Sequence, residues 1–150
     1  MYFDKFRQKC ESLGYKLYGM NRDEIRELTG GSVSFPKAYT ELMSILGHGT
    51  TAPCWNGQDF FGYAVPRLYD YAAETLAENG EELSLKETDF VFFMSQGVIF
   101  AFFDVTEGDD PPVYVYTEAV TGRFIKVSEH LSDFIWNYCF EPEIAFEEIV

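Results

Sequence analysis

Apolar side chains recur every three or four residues in four stretches of the chain, and this spacing predicts amphipathic helices. The recurring positions are Phe3, Phe6, Cys10 and Leu13; Tyr39, Leu42, Met43 and Leu46; Leu68, Tyr71, Ala72 and Leu76; and Leu131, Phe134, Ile135 and Tyr138. Each set lies along one face of a helix, so we expect these side chains to point into a core.

Start and stop signals support these helices and add a fifth. Asn21 and Glu24 have the spacing of a capping box, and Gly30-Gly31 follows where that helix would stop. Pro36 stands in the first turn of the next helix, where its missing N–H costs nothing. Ser128 is placed to cap the last helix.

The hydrophobic pattern changes after a charged linker at residues 81–89. Four aromatic and β-branched runs follow at residues 90–95, 98–104, 113–118 and 123–127. Short turns at Gln96-Gly97 and Thr121-Gly122 predict two hairpins, so the four strands should form an antiparallel meander. The first two runs are apolar on both faces. We therefore expect them in the middle of the sheet, with helices covering at least one side.

The remaining segments complete a single-domain prediction. Residues 47–66 lack a clear period and predict a loop with one short strand. No repeat or linker divides the 150 residues, which suffice for one core. The sequence therefore predicts one α+β domain over residues 1–150, an antiparallel β-meander flanked by α-helices. Fifteen Phe and ten Tyr indicate a core built around aromatic rings.

Acidic and basic residues are unevenly distributed along the chain. Residues 1–40 hold seven Lys or Arg and five Asp or Glu, whereas residues 41–150 hold four and twenty, which together give the net charge of −14. Such a negative domain repels nucleic acid and attracts basic proteins, among which nucleases are prominent because their substrate grooves are positive. The alternative is that the acidic surplus only keeps the domain soluble. Like-charged subunits repel, so we expect a monomer.

Cysteine usage and the first residues indicate the compartment. Cys10, Cys54 and Cys139 are odd in number and far apart, which favours reduced core thiols. Residues 1–9 are polar and charged rather than an apolar export segment, and no apolar run reaches the length of a membrane span. We expect a soluble cytoplasmic protein.

Two blocks of this chain resemble the SUKH superfamily, named for its Syd, US22 and yeast cell-wall-regulator members. The first block is Phe35-Pro36 followed by Tyr39 and Leu42, in a helix that leads into Gly47-His48-Gly49. The second block is the hairpin at residues 90–103 followed by a strand that is entered through Pro-Val-Tyr at 112–114. A closing helix after a short strand also fits, so the resemblance covers about residues 21–140.

The resemblance implies an α+β fold and a non-catalytic role. Bacterial members of the superfamily commonly act as immunity proteins that bind and neutralise polymorphic toxins, often nucleases. Eukaryotic members are regulatory interaction proteins. For this chain the resemblance implies an immunity protein against a cognate toxin, and the negative charge of residues 41–150 implies that this toxin has a basic surface. A regulatory scaffold without a toxin partner is the alternative.

Two segments combine acidic side chains with stiffness or an aromatic anchor, which suits a partner-binding face. Glu107, Asp109 and Asp110 form an acidic turn whose exit two prolines hold extended. Trp55 and Asp59 offer an aromatic ring and an acid in the 47–66 loop, although Trp55 could equally fill the core. The next candidate face is the acidic helix and linker between residues 70 and 89.

Catalytic and metal-binding patterns are missing from the sequence. His48 and His130 stand far apart, and no His or Cys pair has zinc-ligand spacing. The acidic turn stops at prolines where a calcium loop would need a later glutamate. An enzyme using Cys54 and His48 is the catalytic alternative and requires both side chains in one cleft. We expect no catalytic residues, metal or cofactor.

Overall fold

The computed structural model of the protein describes residues 1–32 and 34–149. Its elements in chain order are α1 (Asp4–Ser12), β1 (Leu17–Tyr18), α2 (Arg22–Leu28), α3 (Lys37–Leu46), β2 (Gly49–Thr50), α4 (Leu68–Glu78), β3 (Asp89–Ser95), β4 (Ile99–Asp104), β5 (Val113–Thr117), β6 (Val120–Ser128), α5 (Leu131–Phe140) and α6 (Pro142–Ala145). Short 3-10 helices at Pro53–Trp55 and Val65–Arg67 precede α4. The predicted α+β class is confirmed.

The four long strands form the predicted antiparallel meander in the order β3-β4-β5-β6, and β1 pairs with β2 in a separate two-stranded sheet. The first hairpin turns at Gln96 and Gly97, which both have positive φ angles of 52° and 72°. These angles fit a tight hairpin turn whose twist matches that of the strands.

The second hairpin turn lies three residues earlier in the chain than predicted. Thr117 pairs with Val120, so the turn consists of Glu118 and Ala119. Gly122 lies instead within β6, where the register with β5 shifts and its φ angle is 87°. A glycine in a β-bulge and a glycine in a turn both supply a positive φ, which is why the sequence pattern misplaced the turn.

The position of β3 also differs from the prediction. β4 lies inside the sheet as expected, whereas β3 is an edge strand. Its outer edge is partly closed by Asp59, whose backbone exchanges two hydrogen bonds of 2.9 Å with Met94. An apolar run on both faces indicates that both faces of the strand are covered, but it does not indicate how many strands lie beside it.

Helices cover both faces of the sheet. On one face, side chains of α1, α3 and α5 pack with rings of β3 and β4 in the larger core cluster. On the other face, Leu68, Ala72 and Leu76 of α4 pack against a smaller cluster that contains Phe100 and Tyr116. The aromatic core predicted from composition is therefore confirmed on both faces.

Two predicted core side chains point to solvent. Leu13 follows the last residue of α1 and is 47 % exposed, and Tyr71 of α4 is 43 % exposed. The buried stripe of α4 is narrow, since it repeats every four residues from Leu68, and Tyr71 lies beside it. Among the helices described, none is long and apolar enough to cross a membrane.

Candidate interaction surface

The acidic turn between β4 and β5 is tied to the start of α5. Both carboxylate oxygens of Asp110 accept hydrogen bonds from Ser132, one from its backbone N–H at 2.9 Å and one from its hydroxyl. Ser132 is the second residue of α5, so Asp110 supplies the helix cap that we predicted for Ser128. The Ser128 hydroxyl instead donates to the carbonyl of His130 at 2.8 Å.

The same turn is tied to the start of α3. The carbonyl of Asp109 accepts a hydrogen bond of 2.8 Å from the N–H of Ala38, the second residue of that helix. His130 Nδ1 donates to the carbonyl of Asp110 at 2.8 Å, and this bond raises the pKa of His130 because it stabilises the protonated ring. Residues 109 and 110 therefore form hydrogen bonds with the first turns of α3 and α5, two helices that are distant in sequence.

The predicted contact residues of this turn consequently differ in how free their side chains are. Asp110 is engaged internally, whereas the Asp109 side chain is 55 % exposed and lies 4.0 Å from Lys37 Nζ. Glu107 is exposed and accepts hydrogen bonds of 3.1 and 3.2 Å from the Tyr114 hydroxyl. The side chains of Glu107 and Asp109 are thus both exposed to solvent.

In the other predicted contact segment, Trp55 and Asp59, the aromatic side chain is buried in the core. Trp55 is 2 % exposed, with its ring stacked 3.8 Å from Phe60 and 4.6 Å from Tyr138 between centroids. Of the two roles predicted for Trp55, contact residue or core residue, the structure shows the core residue. Asp59 is exposed, and its backbone forms the bridge to Met94.

The cysteines are not three reduced thiols. Cys54 and Cys139 form a disulfide with their Cα atoms 5.2 Å apart, which links the 47–66 loop to α5, and Cys10 is a buried free thiol. The spacing of 85 residues hid this pair, because only the return of the chain through the sheet brings α5 beside the loop. Burial raises the pKa of Cys10 to about 11, so that sulfur is held as the neutral thiol.

The residues of the catalytic alternative have other partners. Cys54 is bonded to Cys139 rather than free as a nucleophile, and His48 Nε2 lies 2.7 Å from a carboxylate oxygen of Glu24. Glu24 also completes the predicted capping box with Asn21, and this backbone bond together with His48 lowers the pKa of Glu24. In residues 1–32 and 34–149 no group of three His, Cys, Asp or Glu side chains could hold a metal ion.

One buried charged cluster gave no signal in the sequence. Asp104 at the end of β4 is buried and accepts hydrogen bonds from Lys86 Nζ at 2.6 Å and from both the N–H and the hydroxyl of Thr106. Burial disfavours its charge, but these hydrogen bonds prevail and lower the pKa of Asp104. Asp89 lies beside it and is also buried, which raises the pKa of Asp89. This cluster holds the linker that precedes β3.

The outer face of α4 carries a row of acids. Asp70, Glu74 and Glu78 follow one another at four-residue spacing and are all exposed. Within the described ranges none of the three forms an ion pair. Like charges at this spacing repel one another within a helix, and a basic surface placed against them would relieve that repulsion.

Comparison with known proteins identifies a family. The sequence profile of the SMI1 / KNR4 family (SUKH-1) matches residues 23–137, which is more than half of the chain and agrees with the extent of the resemblance seen in the sequence. No curated protein sequence matches. No solved structure matches.

Proposed function

Because the chain belongs to the SMI1 / KNR4 family (SUKH-1), we propose that it is an immunity protein that binds and neutralises a cognate bacterial toxin in the cytoplasm. The observation that carries this proposal is the family match over residues 23–137. Inhibition by binding requires no catalytic group of its own, and the chain acts as a stoichiometric partner of the toxin.

The charge of the chain supports a basic protein as the toxin. Residues 41–150 carry a net charge of −16, from four basic and twenty acidic residues. A field of this sign accelerates the approach of a basic protein and makes the association rate sensitive to salt. Nucleases present basic grooves to their substrates, so a nuclease is the toxin that this charge fits best.

The proposed contact face includes Glu107, Asp109 and Asp59, whose carboxylates are exposed. Substituting Glu107 and Asp109 by Lys should slow association with the toxin and weaken its salt dependence. The double substitution Glu143→Lys and Glu147→Lys, at exposed acids of the C-terminal segment, changes the net charge equally and serves as the control. Equal slowing in both variants would show that the overall field, and not this face, steers the partner.

Coexpression tests the function directly. Each protein encoded beside this gene is expressed from an inducible promoter as a candidate toxin, and growth is followed with and without this chain. We expect growth arrest that this chain relieves, together with a complex that survives size-exclusion chromatography. Growth arrest that persists in the presence of the chain would refute the immunity function and favour a regulatory scaffold.

A further inference from the structure

A shallow groove of about 380 Å³ lies between α2 and the segment that leads into α4. Its apolar lining includes Met20, Leu28 and Pro66. Met20 rests against two glycines, since a Cβ atom on Gly47 or Gly62 would lie 2.5 or 2.6 Å from the Met20 sulfur. A Cβ atom on Gly47 would also lie 2.7 Å from the backbone carbonyl oxygen of Met43, so a side chain there requires the backbone to shift. The Met20 thioether forms part of the floor of the groove.

The most exposed aromatic side chain of the described residues lines this groove. Tyr63 is 73 % exposed, whereas most rings of this chain pack in the two core clusters. Its ring lies nearly parallel to that of Phe61, with 25° between the ring planes and 6.4 Å between centroids. A tyrosine held at the edge of a groove is typical of a contact residue in protein interfaces.

The charge of the groove has one sign when His48 is neutral. Its charged lining consists of Glu24 and Glu27, and no Lys or Arg among residues 1–32 and 34–149 lines it. Glu24 is engaged by His48, whereas Glu27 is exposed and forms no ion pair with any described residue. By contrast, the groove lined by residues of β4, β5 and β6 contains Lys86 and Arg123 beside Asp89 and Glu107, so its charges balance.

We propose that this groove receives a lysine or arginine side chain of the partner protein. The cation would face the ring of Tyr63 and pair with the carboxylate of Glu27, and its aliphatic stem would contact Met20 and Leu28. The face of a tyrosine ring and a nearby carboxylate both attract the same cation, the ring through its π electrons and the carboxylate through its charge. This inference rests on the proposed function, because it names the chemistry by which a basic toxin is recognised.

A peptide titration followed by NMR tests the groove without the toxin. The probe is the capped tripeptide acetyl-Gly-Arg-Gly-amide, and its citrulline counterpart is the uncharged control. We expect saturable shifts of the amide signals of residues 27, 28, 48 and 63 with the arginine peptide, at least fivefold smaller with citrulline. Equal shifts with both peptides, or shifts confined to α4 or residues 107–110, would overturn the proposal.

Two pairs of variants separate the groove from general acidity. Tyr63→Ala and Glu27→Gln should each weaken binding of the arginine peptide at least threefold. Tyr71→Ala and Glu78→Gln alter an exposed tyrosine and an exposed acid on α4 and should leave it unchanged. Unchanged binding in the groove variants refutes the assignment, and the amide spectrum of each variant verifies its fold.

The coexpression assay then distinguishes the two proposals. If the wild-type chain protects cells and the Tyr63→Ala, Glu27→Gln double variant does not, the groove is part of the toxin interface. If both protect equally, the groove proposal fails and the immunity function stands. If the wild-type chain gives no protection, the immunity function itself fails, and with it the assignment of a toxin to this groove.

Discussion

Replacing Asp110 by alanine should destabilise the protein from a position in the loop between β4 and β5. The carboxylate accepts two hydrogen bonds from Ser132 in the first turn of α5. Alanine leaves the N–H of Ser132 without this acceptor at a helix end that packs into the core through Phe134 and Ile135. The substitution thus weakens the attachment of α5 to the sheet.

The expected loss follows from two contributions. Removing a side-chain cap costs about 1 kcal/mol of the free energy of unfolding. Removing a negative charge from a helix N-terminus adds about 0.3–1 kcal/mol. We therefore expect a decrease of about 1–2 kcal/mol, which for a chain of this size lowers Tm by about 2–4 °C per kcal/mol.

Asp109→Ala is the matched control, because it removes the same charge one residue earlier. Its exposed carboxylate has only a 4.0 Å contact with Lys37, and its capping carbonyl belongs to the backbone and survives the substitution. We expect a loss below about 0.5 kcal/mol there. Urea unfolding followed by circular dichroism measures both variants. Equal losses at Asp109 and Asp110 would refute the capping role, as would additive effects of Asp110→Ala and Ser132→Ala in a double-mutant cycle.

Three further predictions follow from the core, the disulfide and the buried cluster. Trp55→Ala should lower the free energy of unfolding by about 3–5 kcal/mol in urea titrations, since its stacked ring fills the core; a change below 1 kcal/mol would contradict this. Dithiothreitol should lower the stability by about 2–4 kcal/mol by opening Cys54–Cys139, while a variant with both cysteines replaced by Ser should not respond. Lys86→Met should destabilise the protein by about 1–2 kcal/mol at pH 7, because it removes the partner of the buried Asp104 carboxylate. Since folding lowers the pKa of Asp104, the stability difference between wild type and variant should shrink below about pH 4, where this carboxylate becomes protonated in the unfolded chain. A stability difference that is independent of pH would refute the pairing.

The disulfide also bears on the proposed cytoplasmic location. Disulfides are uncommon in the cytoplasm, where thiol systems keep cysteines reduced. Trapping free thiols with an alkylating reagent during lysis, followed by mass spectrometry, reports whether Cys54 and Cys139 are bonded in the cell. A fully bonded pair would favour an oxidising compartment for this protein and for its partner.

Local patterns predicted the elements well where the physical cause is itself local. The capping box of Asn21 and Glu24 involves groups three residues apart, and both of its hydrogen bonds form at 2.9 Å. The tight turn at Gln96-Gly97 likewise depends on backbone angles of two adjacent residues. The buried stripe of α3 follows from helical period alone.

The candidate site was predicted less completely, because the role of a surface residue depends on what folds against it. Glu107, Asp109 and Asp110 are equivalent in the sequence as acids of one turn. In the structure, however, the Asp110 carboxylate accepts a hydrogen bond from Ser132, twenty-two residues away. In the same way, Trp55 in a glycine-containing loop carries no local mark of burial. The exposure of Tyr63 likewise has no local sequence signal, because it depends on how the surrounding segments fold.

By itself, then, the sequence determined the α+β class, the meander, the aromatic core and the family pattern, since hydrophobic period and turn chemistry act over a few residues. The tertiary structure alone decided that β3 is an edge strand, that Cys54 meets Cys139, and that α2 and residues 62–66 enclose an acidic groove. Each of these depends on segments far apart in the chain, whose meeting is fixed by the packing of the whole core and not by any local pattern.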